Sequence, residues 1–266
     1  MKTNRKSRCG HESLFRCRNS ITAILTILAG LIHINLMGQD ARAIVERMDR
    51  NMRGDNSTQE LTMTIVRPNW QRTISMKAWS KGQDFSMILI TAPAREKGQV
   101  FLKRLKEMWN WVPAIDRMIK IPPSMMMQSW MGSDFTNDDL IRESSVIEDY
   151  EHRLLGMDTE QGKNCFKIEL IPKPEAAVVW GKILLWITEE DYLQLKVEFY
   201  DEDNALKNTQ FLSNIQIMGK RKLPTHWEMI PADQEGKKTV IDVVKADFDA
   251  VISEDFFSQQ NMKTLR

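Results

Sequence analysis

The sequence predicts a mainly β protein with helices (α+β): a large curved antiparallel sheet forming an open half-barrel, closed by an N-terminal helix and short inserted lid helices. Three observations predict it. Short runs with a period of two recur from Glu60 to Ala250. One amphipathic helical pattern precedes them. The alternation lapses only between Ala114 and Ser145, where soft apolar side chains crowd together without a strand period.

The elements follow in order. Residues 1–20 carry Lys2, Arg5, Lys6, Arg8, Arg16 and Arg18 against one acid, Glu12, and an apolar run follows from Ile21 to Met37. This reads as a secretory signal peptide, residues 1–38, cut near Gly38. An uncleaved membrane anchor is the other reading of the same run. Residues 39–266 then form one domain. Cys9 and Cys17 precede the apolar run and Cys165 is the remaining cysteine, so neither a lipid-bearing N-terminal cysteine nor an internal disulfide is available to that domain. The leader takes six basic and one acidic side chain from the 37 and 36 of the full chain, leaving 31 and 35, a net charge of −4. That balance gives no basis for nucleic-acid binding.

In DARAIVERMDRNMRG, Ile44, Val45, Met48 and Met52 share one helical face, and Gly54 is a natural stop. ELTMTIVRP, RTISMKAWS, FSMILIT, QVFLKRL and EMWNWVP are the next strands, separated by turn-like breaks. Pro122 and Pro123 then interrupt the chain. Ser124 is placed to cap a short helix through Trp130, and a second short helix starts near Thr136 or Asn137. IEDYEHRLLGMD, CFKIELIP, GKILLWIT, LQLKVEFYD, LKNTQFLS, IQIMGKRKLP, THWEMIPA and TVIDVVKADFDA resume the sheet, and Ser253 is placed to cap a last helix, SEDFFSQQ. A sheet of about ten or eleven strands must twist and curl. Its concave face needs cover, and the helices are the candidates for it.

Catalytic signatures are absent. There is no GxxxxGK[ST], no GxGxxG after a strand, no HExxH and no GxSxG. Glu148, Asp149, Glu151 and His152 in EDYEH read as a solvated strand rather than a metal cluster, because alternation sends them to two faces. Asp134, Asp138 and Asp139 lack calcium-loop spacing and suit helix capping. No enzyme, metal or cofactor is expected.

The unusual feature is soft apolar content. All eight tryptophans, and all 17 methionines except Met1 and Met37, lie beyond the leader. Trp109 and Trp111 share one strand face, and Trp186 lies in ILLWI. In a helix, Met125, Met126, Met127, Trp130 and Met131 would point around too much of the circumference for one core, so a second apolar surface is implied. A ligand inside the half-barrel would supply it. Trp109, Trp111, Met125, Met126, Met127, Trp130, Met131 and Trp186 are the expected ligand contacts.

Several stretches in this order carry a family resemblance. They are the loop with Pro93, Lys97 and Gly98, then MWNWVP, RMIKIP and GSDFTNDDL, then WGKILLWIT, YLQLKVEFYDEDN, KLPTHWEMIP and KTVIDVV. From about Ala41 onward the chain resembles the LolA-like outer-membrane lipoprotein-sorting proteins. The resemblance implies a monomeric periplasmic carrier. Its cavity would take acyl chains of a lipoprotein or lipid received from an inner-membrane transporter. A membrane-associated sensor of the same fold is the alternative that an uncleaved anchor would favour.

Overall fold

The computed structural model describes residues 1, 41–141, 145–176 and 178–265. Residues 2–38 of the expected leader lie outside the described residues. Helix α1, residues 41–53, buries Ala41, Ile44, Val45 and Met48 at the predicted helical spacing. Gly54 ends it in the left-handed region at φ +70°, donating its N–H to the Arg50 carbonyl at 3.0 Å.

Thirteen strands follow. The first six are β1 (Asn56–Arg67), β2 (Trp70–Lys81), β3 (Phe85–Ala92), β4 (Val100–Arg104), β5 (Glu107–Val112) and β6 (Arg117–Ile121). After an interruption come β7 (Tyr150–Glu160), β8 (Lys163–Pro172), β9 (Lys182–Thr188), β10 (Gln194–Tyr200), β11 (Leu206–Met218), β12 (Arg221–Pro231) and β13 (Lys238–Asp247). They make one sheet in the order β6-β5-β4-β3-β2-β1-β13-β12-β11-β10-β9-β8-β7, with every described pairing antiparallel. The edge strands β6 and β7 are consecutive in sequence but lie at opposite ends of the sheet, so the half-barrel is open.

The strand boundaries differ from the predicted ones for identifiable reasons. Strand β6 has only Ile121 buried among its five residues, so it shows no alternation. The GK in IQIMGKRKLP is not strand interior. Gly219 and Lys220 have φ of 51° and 66°, the two-residue turn that suits a hairpin between twisted strands. Within β11, Asn214 at φ 54° disturbs the alternation, yet Ser213 and Ile215 keep one register against His226 and Pro224. The predicted break there is therefore a kink in a continuous strand.

Both faces of the sheet are covered. On the concave face, α1 packs over Ile168, Leu170, Ile183, Leu185, Ile187, Val197 and Leu212. The other half of that face holds Met63, Ile65, Ile74, Met76, Ile90, Phe101 and Met108 beneath Met126, Trp130 and Phe135. On the convex face, Phe257 and Met262 cover Met87, Leu89, Val100 and Leu102. The C-terminal helix expected after Ser253 is a single 3-10 turn, Glu254–Phe256. The α-helix, α4 (Gln259–Thr264), starts later, where the Ser258 hydroxyl accepts the Asn261 N–H.

Gly181 shows how closely the chain packs beside β9. A Cβ there would stand 2.5 Å from the Asp201 carbonyl oxygen, and that neighbour is backbone. Gly181→Ala is expected to lower unfolding free energy by about 1–3 kcal/mol through overpacking, read from urea denaturation.

Candidate functional site

Residues 122–149 connect the two edge strands across the concave side. This lid holds 3-10 turns at Pro123–Met125 and Trp130–Gly132, then helices α2 (Asn137–Ile141) and α3 (Ser145–Glu148). The helix expected from Ser124 through Trp130 does not form. Pro122 is extended at ψ 160°, and Met131 and Gly132 are left-handed at φ 52° and 77°, so helical geometry cannot propagate. The methionines therefore spread over an irregular loop. That loop is closed on itself: Trp130 N–H donates to the Phe135 carbonyl at 2.8 Å, Asn137 N–H to Gln128 at 2.9 Å and Asp138 N–H to Met126 at 3.0 Å.

Polar bonds fasten this loop to the sheet. Arg67 on β1 donates through both terminal nitrogens to the Asp134 carboxylate, at 3.0 Å each. The Arg67 and Asp134 side chains are only 13% and 8% exposed. The Thr239 hydroxyl on β13 donates to Asp134 at 2.7 Å, and Arg67 also reaches the Gly132 carbonyl at 3.0 Å. A bidentate pair with its remaining lone pairs occupied is the geometry that compensates buried charge. Arg72 on β2 donates to the Met131 carbonyl. Farther along, Thr136 and Asp139 form a reciprocal cap at the start of α2, at 2.7 and 3.0 Å. The Trp180 indole donates to Asp139 at 3.0 Å, tying the lid to the β8–β9 connection.

Between lid, α1 and sheet lies a cavity of about 250 Å³. Its apolar lining includes Met48 and Met52 of α1, Leu61, Met76 and Ile88 of β1–β3, and Trp130 and Phe135 of the lid. Trp180, Leu185, Phe199, Leu212, Trp227 and Ile241 complete the far side. Polar groups also line the cavity. Asp49 accepts from Arg53 at 3.0 Å and from Gln83 at 3.2 Å, and the Ser57 and Ser80 hydroxyls are 2.7 Å apart.

The predicted contacts separate in this frame. Trp130 lines the cavity. Met126 is buried beneath the lid, Met125 and Met131 are half-buried against the same cluster, and Met127 is 66% exposed and points away from it. Trp109 and Trp111 face the other side of the sheet, packed with Phe257 and Met262. Trp186 is also on the convex face, with Cys165, Leu184 and Leu195, its indole donating to Asp158 at 2.9 Å. The sequence expectation that these three tryptophans line the cavity is corrected. Alternation fixes which residues share a face, but both faces of this sheet are apolar. The contributions of α1 and of the Trp180 connection carried no signal beyond ordinary core residues.

The acidic groups fall into structural roles. Glu148 ends α3 and pairs with Arg42 at 2.8 Å, so it is not a strand residue as the sequence predicted. His152 contacts the Val146 carbonyl at 2.9 Å, and burial pushes its imidazole below the usual value. Among the described residues, no three His, Cys, Asp or Glu side chains gather as a metal site. Burial in the lid pushes the Asp139 carboxyl above the usual value, opposed by its bonds from Thr136 and Trp180.

The chain is an open antiparallel half-barrel spanned by the connection between its own edges, and in fold it is similar to LolA-like structures. Solved structures agree. A DUF1329 family protein from Desulfovibrio piger is 25% identical and superimposes with a TM-score of 0.78, over 85% of this chain and 99% of that one. A protein domain from Vibrio parahaemolyticus described as outer membrane lipoprotein-sorting gives 24% and 0.76, over 85% and 99%. A LolA superfamily protein from Nitrosomonas europaea gives 23% and 0.71, over 83% and 98%. No curated protein matches the sequence. A family model with the description "Uncharacterized protein" matches residues 82–264, and the chain belongs to that family. The likeness to LolA-like lipoprotein-sorting proteins expected from sequence is thus borne out in the fold.

Two outcomes follow from the lid's fastening. Asp134→Ala leaves Arg67 buried without its partner and is expected to cost about 3–5 kcal/mol, with faster amide hydrogen exchange at residues 126–137 than at the sheet centre. The Asp139 carboxyl, held high in the native state, binds a proton that the unfolded chain has already released. Wild-type stability should therefore fall relative to Asp139→Asn as pH rises from the ordinary carboxylate value to the raised one, then level off. Urea midpoints of the two proteins across that pH range check the sign.

Proposed function

We propose that the protein is a non-enzymatic periplasmic carrier. Its working unit is residues 39–266, acting as a monomer after export. It binds acyl chains of lipoproteins or lipids between the concave sheet and the lid, receives them from an inner-membrane transporter and conveys them toward the outer membrane. The observation that carries this reading is the cavity itself, which is largely apolar and walled by α1, the sheet and the lid. The likeness in fold to the Vibrio lipoprotein-sorting domain and the Nitrosomonas LolA superfamily protein supports it.

The chemistry suits a flexible apolar guest. Met48, Met52, Met76 and Met229 contribute to the lining, and methionine adapts its shape at little cost. Trp130, Trp180 and Trp227 offer broad apolar faces. Each methylene taken from water contributes about 0.8 kcal/mol. Met125 and Met131, beside Trp130, are proposed to meet the guest as the lid loosens. Trp109, Trp111 and Trp186 are left out of the contact set because they lie on the other face.

Lipid extraction and mass spectrometry of the purified protein, with displacement of a fluorescent fatty-acyl probe, test the proposal. Co-purifying acyl lipid and saturable displacement are expected; neither occurring would sink it. Leu61 and Ile88 are half-buried at the cavity wall, so Leu61→Trp or Ile88→Trp fills open space rather than the packed core. Each should weaken probe binding by about tenfold or more, equivalent to losing about two buried methylenes, while thermal stability changes little.

A further inference from the structure

A second recess lies beyond Trp130, beneath the lid turn, with Arg72, Phe101, Asn110, Met125 and Gln128 around it. Three side chains that line it carry a buried polar atom with no hydrogen-bond partner: Trp130 Nε1, Arg72 Nε and Asn110 Oδ1. Trp130 is only 2% exposed, so its indole is withdrawn from bulk solvent. Such orphaned groups are rare, and each is costly to leave unmade.

The three groups come together through contacts already in the fold. Phe101 and Asn110 are directly opposed on β4 and β5. The Trp130 ring packs against Phe101 at a tilt of 58°, with centroids 5.1 Å apart. The Arg72 guanidinium donates to the carbonyl of Met131, the residue after Trp130. The residues that carry these two N–H donors and one carbonyl acceptor therefore line a single recess. Its charge is also informative. Glu96 lies 3.6 Å from the Arg72 terminal nitrogen, and the second oxygen of its carboxylate is unpartnered too. That neighbouring negative charge opposes an anionic guest and favours a neutral dipole.

We infer that this recess is a polar subsite for a neutral secondary amide attached to the acyl chain. The inference rests on the carrier reading, since the main cavity would hold the chain. Trp130 Nε1–H and Arg72 Nε–H donate to the amide carbonyl oxygen, and the amide N–H donates to Asn110 Oδ1. Trp130 forms the wall common to both spaces. Its ring faces the chain and its N–H serves the linkage. An ester satisfies the two donors and leaves Asn110 unpaired; an ether satisfies none of them fully.

Three probes with the same hexadecyl chain separate these cases: an N-methyl amide, a methyl ester and a methyl ether. Each competes with a fluorescent fatty-acyl probe on the intact mature protein. The amide should bind about tenfold tighter than the ether, with the ester between them. Trp130→Phe keeps an aromatic ring but removes the N–H, and should abolish most of the amide and ester advantage over the ether, read as a ratio because the smaller ring also changes contact with the chain. Asn110→Leu should bring the amide down to the ester and leave ether affinity constant. Thermal melting reports that both variants are folded. Equal affinity for all three probes in the wild type would overturn the subsite and leave the carrier standing. Displacement by none of them would overturn the carrier and the subsite with it.

Discussion

The structure is governed by where its sheet ends. Strands β6 and β7 follow each other in sequence yet form the two edges of a thirteen-stranded sheet. The chain between them must cross the concave side. Thirteen strands laid flat would be about 60 Å wide at the usual strand spacing. The described residues of this connection, 122–141 and 145–149, are coiled into 3-10 turns, short helices and a closed loop, so their reach falls well below the extended limit of roughly 3.3 Å per residue. Sheet curl and lid are thus one solution: the curl brings the edges within reach, and the short connection keeps them there. Strand twist supplies the tendency, and the lid bonds set its extent.

Covalent connection does not decide how deeply the lid sits. The Arg67–Asp134 pair does, because it reaches the middle of the sheet, where β1 meets β13, rather than either edge. Thr239 extends the contact onto β13. Trp130 follows from that placement, since its backbone lies four residues from Asp134 within the same self-bonded loop. The Asp139–Trp180 bond fastens the other end of the lid. The cavity exists because these attachments hold the lid beside α1 instead of letting Met126, Trp130 and Phe135 collapse farther onto the sheet.

What the sequence made legible was periodicity. Alternation found nearly all strands, and helical spacing found α1 with its buried face and its stop at Gly54. Periodicity cannot say which face is concave. In β9 all six residues from Ile183 to Thr188 are buried, so Trp186 and Leu185 look alike in sequence though they face opposite sides. Trp109 and Trp111 were placed by the same ambiguity, resolved only by Phe257 and Met262 arriving from the far end of the chain. The methionine run invited a helix because adjacent long side chains are good helix formers. Two prolines before it and two left-handed residues after it outweighed that preference. Partnerships such as Arg67 with Asp134, separated by 67 residues, leave no trace in composition or period.

On the carrier reading, magnitudes connect cavity and lid. An apolar cavity of 150 Å³ accommodates the six carbons of benzene, so about 250 Å³ accommodates about ten carbons on the same scale. A long acyl chain therefore exceeds that space, and a pair of chains exceeds it further. Burying such a guest along its whole length would displace the lid or part of α1. At about 0.8 kcal/mol per methylene, four to six additional buried methylenes offset the roughly 3–5 kcal/mol expected for parting a buried pair such as Arg67 and Asp134. Short chains would bind within the closed form and leave the lid in place. Long chains carry enough free energy to favour a lid-displaced state, because only that state gives them further contact. Chain length, rather than headgroup charge, then becomes the quantity to which the lid responds.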